Sequence, residues 1–205
     1  MNNQDYLDQI TASAQGSQSK RNMIISPLVL KLLIAGVVLA ILIIVFGSIF
    51  GNMGTKTEDV AKQLSLRLAN VSTTIETYNP NVKSSQLRKE GSGVKSVINN
   101  TQRDLNKFLE EKYNYTKVDQ KSKLYADETS FIEKANKELE YARLNAFLDR
   151  VYLNQLLYQI EQIVVLESNI NSRTDNQNLK DIVQSSMNNL KQSYESLEKL
   201  TDSIN

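Results

Sequence analysis

The sequence predicts an all-α protein, with one N-terminal transmembrane helix followed by an antiparallel bundle of about four helices. Three observations support this prediction. The run from Leu28 to Phe50 is apolar, with Lys31 as its one charged residue. Beyond Gly54, apolar residues recur at steps of three and four, the spacing that places them on one face of a helix. The 205-residue chain contains only two prolines, so long helices can continue uninterrupted.

The apolar run is long enough to cross a bilayer. At ~1.5 Å per residue, a helix from Leu28 to Phe50 would extend about 34 Å, whereas the hydrocarbon core measures ~30 Å. Ser26 and Pro27 provide an N-cap and a first-turn proline at its start. Because the run is longer than the apolar region of a secretory signal peptide, we predict an uncleaved signal anchor at residues 27–51.

The basic residues that flank the span predict its orientation. Lys20, Arg21 and Lys31 lie on the N-terminal side, whereas the basic residues just beyond the span are accompanied by acidic ones. The positive-inside rule then makes residues 1–26 a cytoplasmic tail and residues 55–205 an extracytoplasmic domain of a single-pass cell-membrane protein. The tail is rich in Gln, Asn and Ser, so we expect it to be disordered.

A stripe of small residues predicts where the span could pack against another helix. These residues recur at intervals of four, seven and four and therefore share one face: Gly36, Ala40, Gly47 and Gly51. Such a face lets two helices approach closely, which favours dimerisation in the membrane. The alternative is that Gly and Ala are simply common in transmembrane segments.

Capping and stop signals divide the rest of the chain into helices. The sequence from Thr55 to Glu58 forms a capping box that opens the first helix. Its apolar stripe runs from Val60 to Tyr78, and the Asn-Pro-Asn sequence at 79–81 ends it. The second helix is clearest from Val94 to Lys112, with a start that could be as early as Ser84.

The remaining sequence predicts two more helices. The third segment runs from Ser122 to Ile170 with no Gly or Pro, and between Leu144 and Leu166 it is apolar around most of its circumference. The last helix opens at a second capping box, Thr174 to Gln177, and carries a heptad seam. Four antiparallel helices would return the chain to the side at which it entered. The predicted core residues are Leu148, Val151, Leu156, Ile160, Ile163, Val183, Met187, Leu190, Tyr194 and Leu197.

The composition removes several classes of chemistry. The chain has no Cys and no His, so it lacks disulfides, the commonest general base near neutral pH and the commonest metal ligand. The near balance of 24 basic and 23 acidic residues is not typical of a nucleic-acid-binding protein. We therefore predict no catalytic residue, no cofactor, no metal site and no nucleic-acid partner.

Acidic residues on the third segment invite functional interpretations that we weigh against structural ones. One group would suit a carboxylate metal site: Asp127, Glu128, Glu133, Glu138 and Glu140. A di-iron bundle also needs His, so solvated helix faces explain this group better. Asp149 and Glu161 lie in the most apolar stretch and could serve a hydrolase of envelope polymers. Pairing with Arg143 or Arg150 is the preferred explanation for both.

Aromatic residues suggest two further sites. Tyr152, Tyr158 and Tyr194 could line a ligand pocket inside the bundle. The connection between the second and third helices is aromatic and basic, and it could touch phosphates, a cell-wall polymer or lipid head groups. A solvated connection is the preferred interpretation of these residues: Tyr113, Tyr115, Lys117, Lys121 and Lys123.

Strong helical seams without catalytic residues predict a membrane-tethered interaction or scaffold protein that binds another protein or itself. A ligand-binding domain is the first alternative, and the carboxylate hydrolase is the second. Abundant Asn, Lys, Ile and Ser with few Gly, Pro and Ala indicate a bacterial source, so we expect this protein in the cell envelope. The layout of one N-terminal span and an external helical bundle resembles that of the LemA family and of the sensory bundles of bacterial receptors. The resemblance is one of layout and includes no shared motif.

Overall fold

The computed structural model describes residues 56–116 and 118–204. Within these residues the chain forms six α-helices and no strand, which confirms the predicted all-α class for this part of the protein. The helices are α1 (Thr57–Tyr78), α2 (Ser85–Tyr113), α3 (Lys123–Leu144), α4 (Leu148–Arg173), α5 (Gln177–Glu198) and α6 (Thr201–Ile204). A short 3-10 turn, Asn79–Asn81, follows α1.

The predicted membrane anchor at 27–51 lies outside the described residues. So do the tail at 1–26 and the small-residue face formed by Gly36, Ala40, Gly47 and Gly51. None of the helices that the structure describes is long and apolar enough to cross a bilayer. The anchor therefore stays a prediction from sequence.

Four of the long helices pack in a ring around a shared apolar core. α1 contacts α2, α2 contacts α5, α5 contacts α4, and α4 contacts α1. Helix α3 packs outside this ring, against α1 and α4. The core is thus enclosed by four helices, and α3 is a fifth long helix that covers one side of them.

A ladder of polar side chains fixes the register between α1 and α2. The hydrogen-bonded pairs are Ser65 with Asn106, Ser72 with Asn99, and Asn79 with Ser92. Both partners advance in steps of seven residues but in opposite directions along the chain. The first two helices therefore form an antiparallel heptad pairing, with hydroxyl and amide groups beside the apolar seam.

The other neighbours in the ring also run antiparallel. Tyr152, near the start of α4, donates to Asn79, just beyond the end of α1. Two pairs connect α4 to α5, Glu161 with Tyr194 and Asn171 with Gln184. From Glu161 to Asn171 the residue numbers rise along α4, whereas those of their partners on α5 fall from Tyr194 to Gln184. This is the ordering of an up-and-down bundle.

The predicted third segment is two helices, because the chain reverses between Leu144 and Leu148. Ala146 adopts φ 63°, in the left-handed region that ends many helices at Gly. The Asn145 side chain donates to the Tyr141 carbonyl at 2.8 Å, and the backbone N–H of Phe147 donates to the Ala142 carbonyl at 3.1 Å. These bonds satisfy carbonyl groups at the end of α3, and α4 starts at once in the opposite direction.

The reversal changes where the chain ends. Lys62, in the first turns of α1, lies beside Tyr115, with its ammonium 5.1 Å from the ring centroid, and both belong to what we call the N-terminal end of the bundle. Ile204 lines a surface cavity together with Lys83 and Phe147 at the opposite end, which we call the far end. A bundle of four helices would have returned the chain to the N-terminal end, whereas the fifth places α6 at the far end.

Two of the predicted helix starts differ from those in the structure. Thr55 lies outside the described residues, and Lys56 occupies the N-cap position of α1 without a side-chain cap. The capping box predicted at Thr174 is wrong, because Asn176 is the N-cap of α5 and its Oδ1 accepts from the Leu179 N–H at 3.1 Å. The Thr174 hydroxyl oxygen instead accepts from the backbone N–H of Asn176.

The core is built from the inward stripes of the ring helices. Of the ten residues predicted for it, the buried ones are Leu148, Leu156, Ile160, Ile163, Val183, Leu190 and Leu197. The half-buried ones are Val151, Met187 and Tyr194. On α5 the stripe passes through Ser186 at this level, so the neighbouring Met187 lies at the edge of the core.

Gly91 allows three helices to meet at the far end. A Cβ atom on Gly91 would lie 2.5 Å from Asn79 Oδ1 and 2.7 Å from the Tyr152 hydroxyl. The same Asn79 oxygen accepts the hydrogen bond from Tyr152 at 3.1 Å, and its amide nitrogen donates to the Arg88 carbonyl. A side chain at position 91 would therefore separate α2 from this hydrogen-bonded junction.

We expect Gly91→Ala to destabilise the bundle by ~1–3 kcal/mol, because the added methyl group must displace Asn79 or Tyr152. Gly93→Ala is the matched control, since a Cβ there meets nothing within 4 Å. The control should stabilise the same helix by ~0.5–1 kcal/mol. Urea denaturation followed by circular dichroism measures both, and equal midpoints for the two variants would contradict the steric role of Gly91.

Candidate functional site

The far end of the bundle carries an exposed apolar corner, which we define as Tyr141, Leu144 and Phe147. Tyr141 is 64% exposed and Leu144 is 69% exposed, more than any other large hydrophobic residue that the structure describes. The rings of Tyr141 and Phe147 meet edge to face with centroids 5.8 Å apart. The Arg150 guanidinium lies 5.9 Å from the Phe147 ring centroid. The corner therefore consists of two aromatic rings and a leucine, with the cationic Arg150 beside it.

The chain reversal is what exposes this corner. Leu144 is the last residue of α3, directly before the turn at Asn145 and Ala146, and its side chain is exposed. Leu148, four residues later, is buried at the start of α4 and anchors the other side of the turn. The corner is thus an apolar surface on a fixed turn.

Asp149 holds the neighbouring segment of the far end in place. Its two carboxylate oxygens accept from the backbone N–H groups of Lys83 and Ser84, at 2.8 and 2.7 Å. These N–H groups lie at the start of α2, where a helix leaves donors unpaired and where negative charge is favoured. Asp149 therefore connects the start of α2 to the start of α4.

The second carboxylate in the apolar stretch has its own partner. Glu161 accepts a hydrogen bond from the Tyr194 hydroxyl at 2.9 Å. Twelve residues along α4 separate it from Asp149, a rise of roughly 18 Å, whereas paired carboxylates of glycosidases lie ~5–9.5 Å apart. Among the described residues neither acid pairs with Arg143 or Arg150, and Arg143 pairs with Glu140 instead. The structure does not bring the two carboxylates into one site.

The three tyrosines considered for a ligand pocket lie in separate environments. Tyr152 is buried against Asn79, and burial raises the pKa of its hydroxyl. Tyr158 is 43% exposed and stacks on Phe131 with centroids 6.0 Å apart. Tyr194 is half-buried, and burial, followed by its hydrogen bond to Glu161, raises its pKa to about 12. None of the three lines the cavities beside Gly93, Tyr115 or Ala146.

A buried ion pair attaches α3 to α1, and the sequence analysis missed it. Arg67 Nε and Nη2 donate to the two carboxylate oxygens of Glu128 at 2.6 and 2.9 Å. Gln63 donates to the same carboxylate, and the Arg67 guanidinium lies 3.7 Å from the Phe131 ring centroid. Glu128 is 2% exposed, so its assignment to a solvated face was wrong. The bidentate geometry and the extra donor offset the cost of burying both charges.

Glu167 is a second buried acid, inside the ring of four helices. It is fully buried on α4, and burial raises the pKa of its carboxyl group to about 8. The nearby Ser186 hydroxyl on α5 lowers this pKa slightly, although neither carboxylate oxygen forms a hydrogen bond of normal geometry with a described residue. The group is therefore mainly protonated near neutral pH, because burial in the core disfavours the charged carboxylate.

Metal binding gains no support from these acids. Among residues 56–116 and 118–204, no three acidic side chains come together in a group that could hold a metal ion. Glu128 and Glu167 lie on different helices, α3 and α4 respectively.

Comparison with known proteins identifies no relative. No protein-family model matches the chain, and no curated protein or solved structure matches it either.

We expect the stability of the bundle to fall as the pH rises from about 4.5 to about 8, because of Glu167. The pKa of the folded state, about 8, exceeds the ordinary value of 4.5, so the folded protein retains a proton that the unfolded chain releases. The stabilising contribution is complete below the lower value and is lost at up to ~1.4 kcal/mol per pH unit.

Glu167→Gln should remove this part of the pH dependence, and Glu133→Gln, on the exposed face of α3, should leave it unchanged. Urea midpoints measured between pH 4 and 9 test this expectation. A Glu167→Gln variant whose midpoint follows the wild-type pH profile would refute the role of Glu167.

Proposed function

We propose that this chain is a membrane-anchored interaction or scaffold protein of the bacterial cell envelope, without catalytic activity, whose extracytoplasmic bundle binds a protein partner. The observation that carries the proposal is the apolar corner at the far end, where Tyr141 and Leu144 are 64% and 69% exposed. An exposed apolar patch on a fixed turn is typical of a protein-binding surface. The cationic Arg150 beside it favours a partner with an apolar cleft and an acidic rim.

The order of the elements along the chain supports the same function. The predicted anchor ends at residue 51, shortly before Lys56 at the N-terminal end of the bundle. Helix α3 has 22 residues and therefore spans about 33 Å from the N-terminal end to the apolar corner. The corner therefore lies about 33 Å from the end of the bundle at which the described chain begins.

The partners of the carboxylates favour this function over the hydrolase alternative. Asp149 is engaged by two backbone N–H groups, and Glu161 by the hydroxyl of Tyr194. Both acids therefore have structural roles that account for their presence in the apolar stretch. A general acid and base would need a shared substrate position within hydrogen-bonding reach.

Topology is the first test of the proposal. The chain contains no Cys, so single cysteines report position without background. Ser203→Cys, at an exposed position in α6, should react with a membrane-impermeant maleimide in cells whose outer barrier is permeabilised. Ser13→Cys should react only after the membrane is lysed. Labelling of Ser13→Cys alone in intact cells would show that the orientation is the reverse of the predicted one. Labelling of both variants would exclude a single span.

Photo-crosslinking in native membranes tests the binding surface itself. Benzoylphenylalanine in place of Leu144 in the full-length chain should give a discrete protein adduct, because this side chain would lie inside the interface. The control replaces Glu111, an exposed residue near the opposite end of the bundle, and should give none. An adduct of twice the mass of the chain would identify a second copy as the partner. Equal yields at the two positions would contradict the assignment of the corner.

A further inference from the structure

We propose that the groove between α1, α2 and the connection after α2 binds an uncharged glycan chain. The groove has a volume of about 410 Å³, within the range of small-ligand sites. The side chains that carry the argument are Gln102, Asn106, Glu110, Tyr115, Gln120 and Tyr125. The inference is independent of the apolar corner, which lies at the other end of the bundle.

One wall of the groove is a polar stripe on α2. Gln102, Asn106 and Glu110 are spaced four residues apart and therefore lie above one another on a single helix face. Asn106 Oδ1 already accepts from the Ser65 hydroxyl, which leaves its amide N–H groups as donors. The side chains of Gln102 and Glu110 form no hydrogen bond with any residue that the structure describes. The stripe thus offers unused donors and acceptors in a row.

The opposite wall is aromatic because of how α2 ends. Asn114, at φ 54°, terminates the helix, and the Tyr115 N–H donates back to the Leu109 carbonyl at 3.2 Å. This turn folds Tyr115 over the groove, where the Lys62 ammonium lies 5.1 Å from its ring centroid. Tyr125 from α3 contributes a second ring to the lining.

The Tyr115 hydroxyl is evidence that the ligand is polar. Its oxygen is buried and has no hydrogen-bond partner among the described residues. Burial raises the pKa of this hydroxyl, so it remains a neutral donor and acceptor. An unpaired buried polar atom typically costs ~1–3 kcal/mol, which a hydroxyl or amide group of a ligand would recover.

The chemistry of the lining favours a glycan over a phosphate or a peptide. Glu110 is the one charged side chain among the described lining residues, and its negative charge disfavours an anionic ligand at this wall. Planar amides and a carboxylate can each bond to two adjacent hydroxyls of a sugar, and tyrosine rings pack against its apolar C–H face. Lys121 and Lys123 do not line the groove, and Lys117 is outside the described residues.

Calorimetric titration of the full-length chain in detergent with a β-1,4-linked N-acetylglucosamine tetrasaccharide tests the proposal. We expect saturable binding that weakens at least tenfold in Gln102→Ala and about fivefold in Tyr115→Phe, which loses one hydrogen bond of ~1 kcal/mol. Gln86→Ala is the matched control, because Gln86 is exposed on the same helix and does not line the groove.

Circular dichroism of each variant ensures that a loss of binding is not a loss of folding, and Tyr115→Phe is conservative enough to keep the fold. Absence of saturable binding to the tetrasaccharide would overturn the proposal. So would unchanged affinity in folded Gln102→Ala, or binding of inorganic phosphate in its place.

Discussion

Between Ala142 and Phe147 the backbone leaves one helix and enters another that runs in the opposite direction, with Ala146 in the left-handed region. A non-Gly residue in this conformation costs ~1–2 kcal/mol, which the surrounding packing must offset. The number of long helices, the outer position of α3 and the location of α6 all depend on this turn. A continuous helix here would have been roughly 73 Å long, about twice the length of its neighbours. Burial of the apolar residues therefore requires the chain to turn back.

The two buried acids stabilise the bundle in different ways. Glu128 pairs with Arg67 and joins α3 to the ring by a bidentate contact that few other side chains could reproduce. Loss of one partner from such a pair typically costs ~3–5 kcal/mol, because the other charge is left buried. Among the residues that the structure describes, no cation forms an ion pair with Glu167, and this acid is tolerated by keeping its proton. The first interaction specifies where α3 packs, whereas the second makes the core sensitive to pH.

Periodicity in the sequence was sufficient to predict the helical class and most of the buried stripe on α4, where Leu156, Ile160 and Ile163 point inward. It could not locate the reversal, since Ala146 carries none of the local signals that Gly or Pro would give. Glu128 was misassigned because an acid at the start of a helix resembles a solvated one until its partner, 61 residues away, is known. The groove could not be predicted from the sequence, because Tyr115 and the polar stripe on α2 become neighbours only after the chain turns at Asn114.

The ladder between α1 and α2 has a consequence for alignment. Because its rungs repeat every seven residues, a slip of one heptad would still pair Ser65 with Asn99 or, in the other direction, Ser72 with Asn106. The ladder therefore distinguishes the native alignment from its shifted copies only in part. The junction of Asn79 with Gly91 and Tyr152 occurs once among the described residues, and a side chain at position 91 would have to displace Asn79 or Tyr152. This junction therefore favours the native alignment of α1 and α2 over alignments shifted by seven residues.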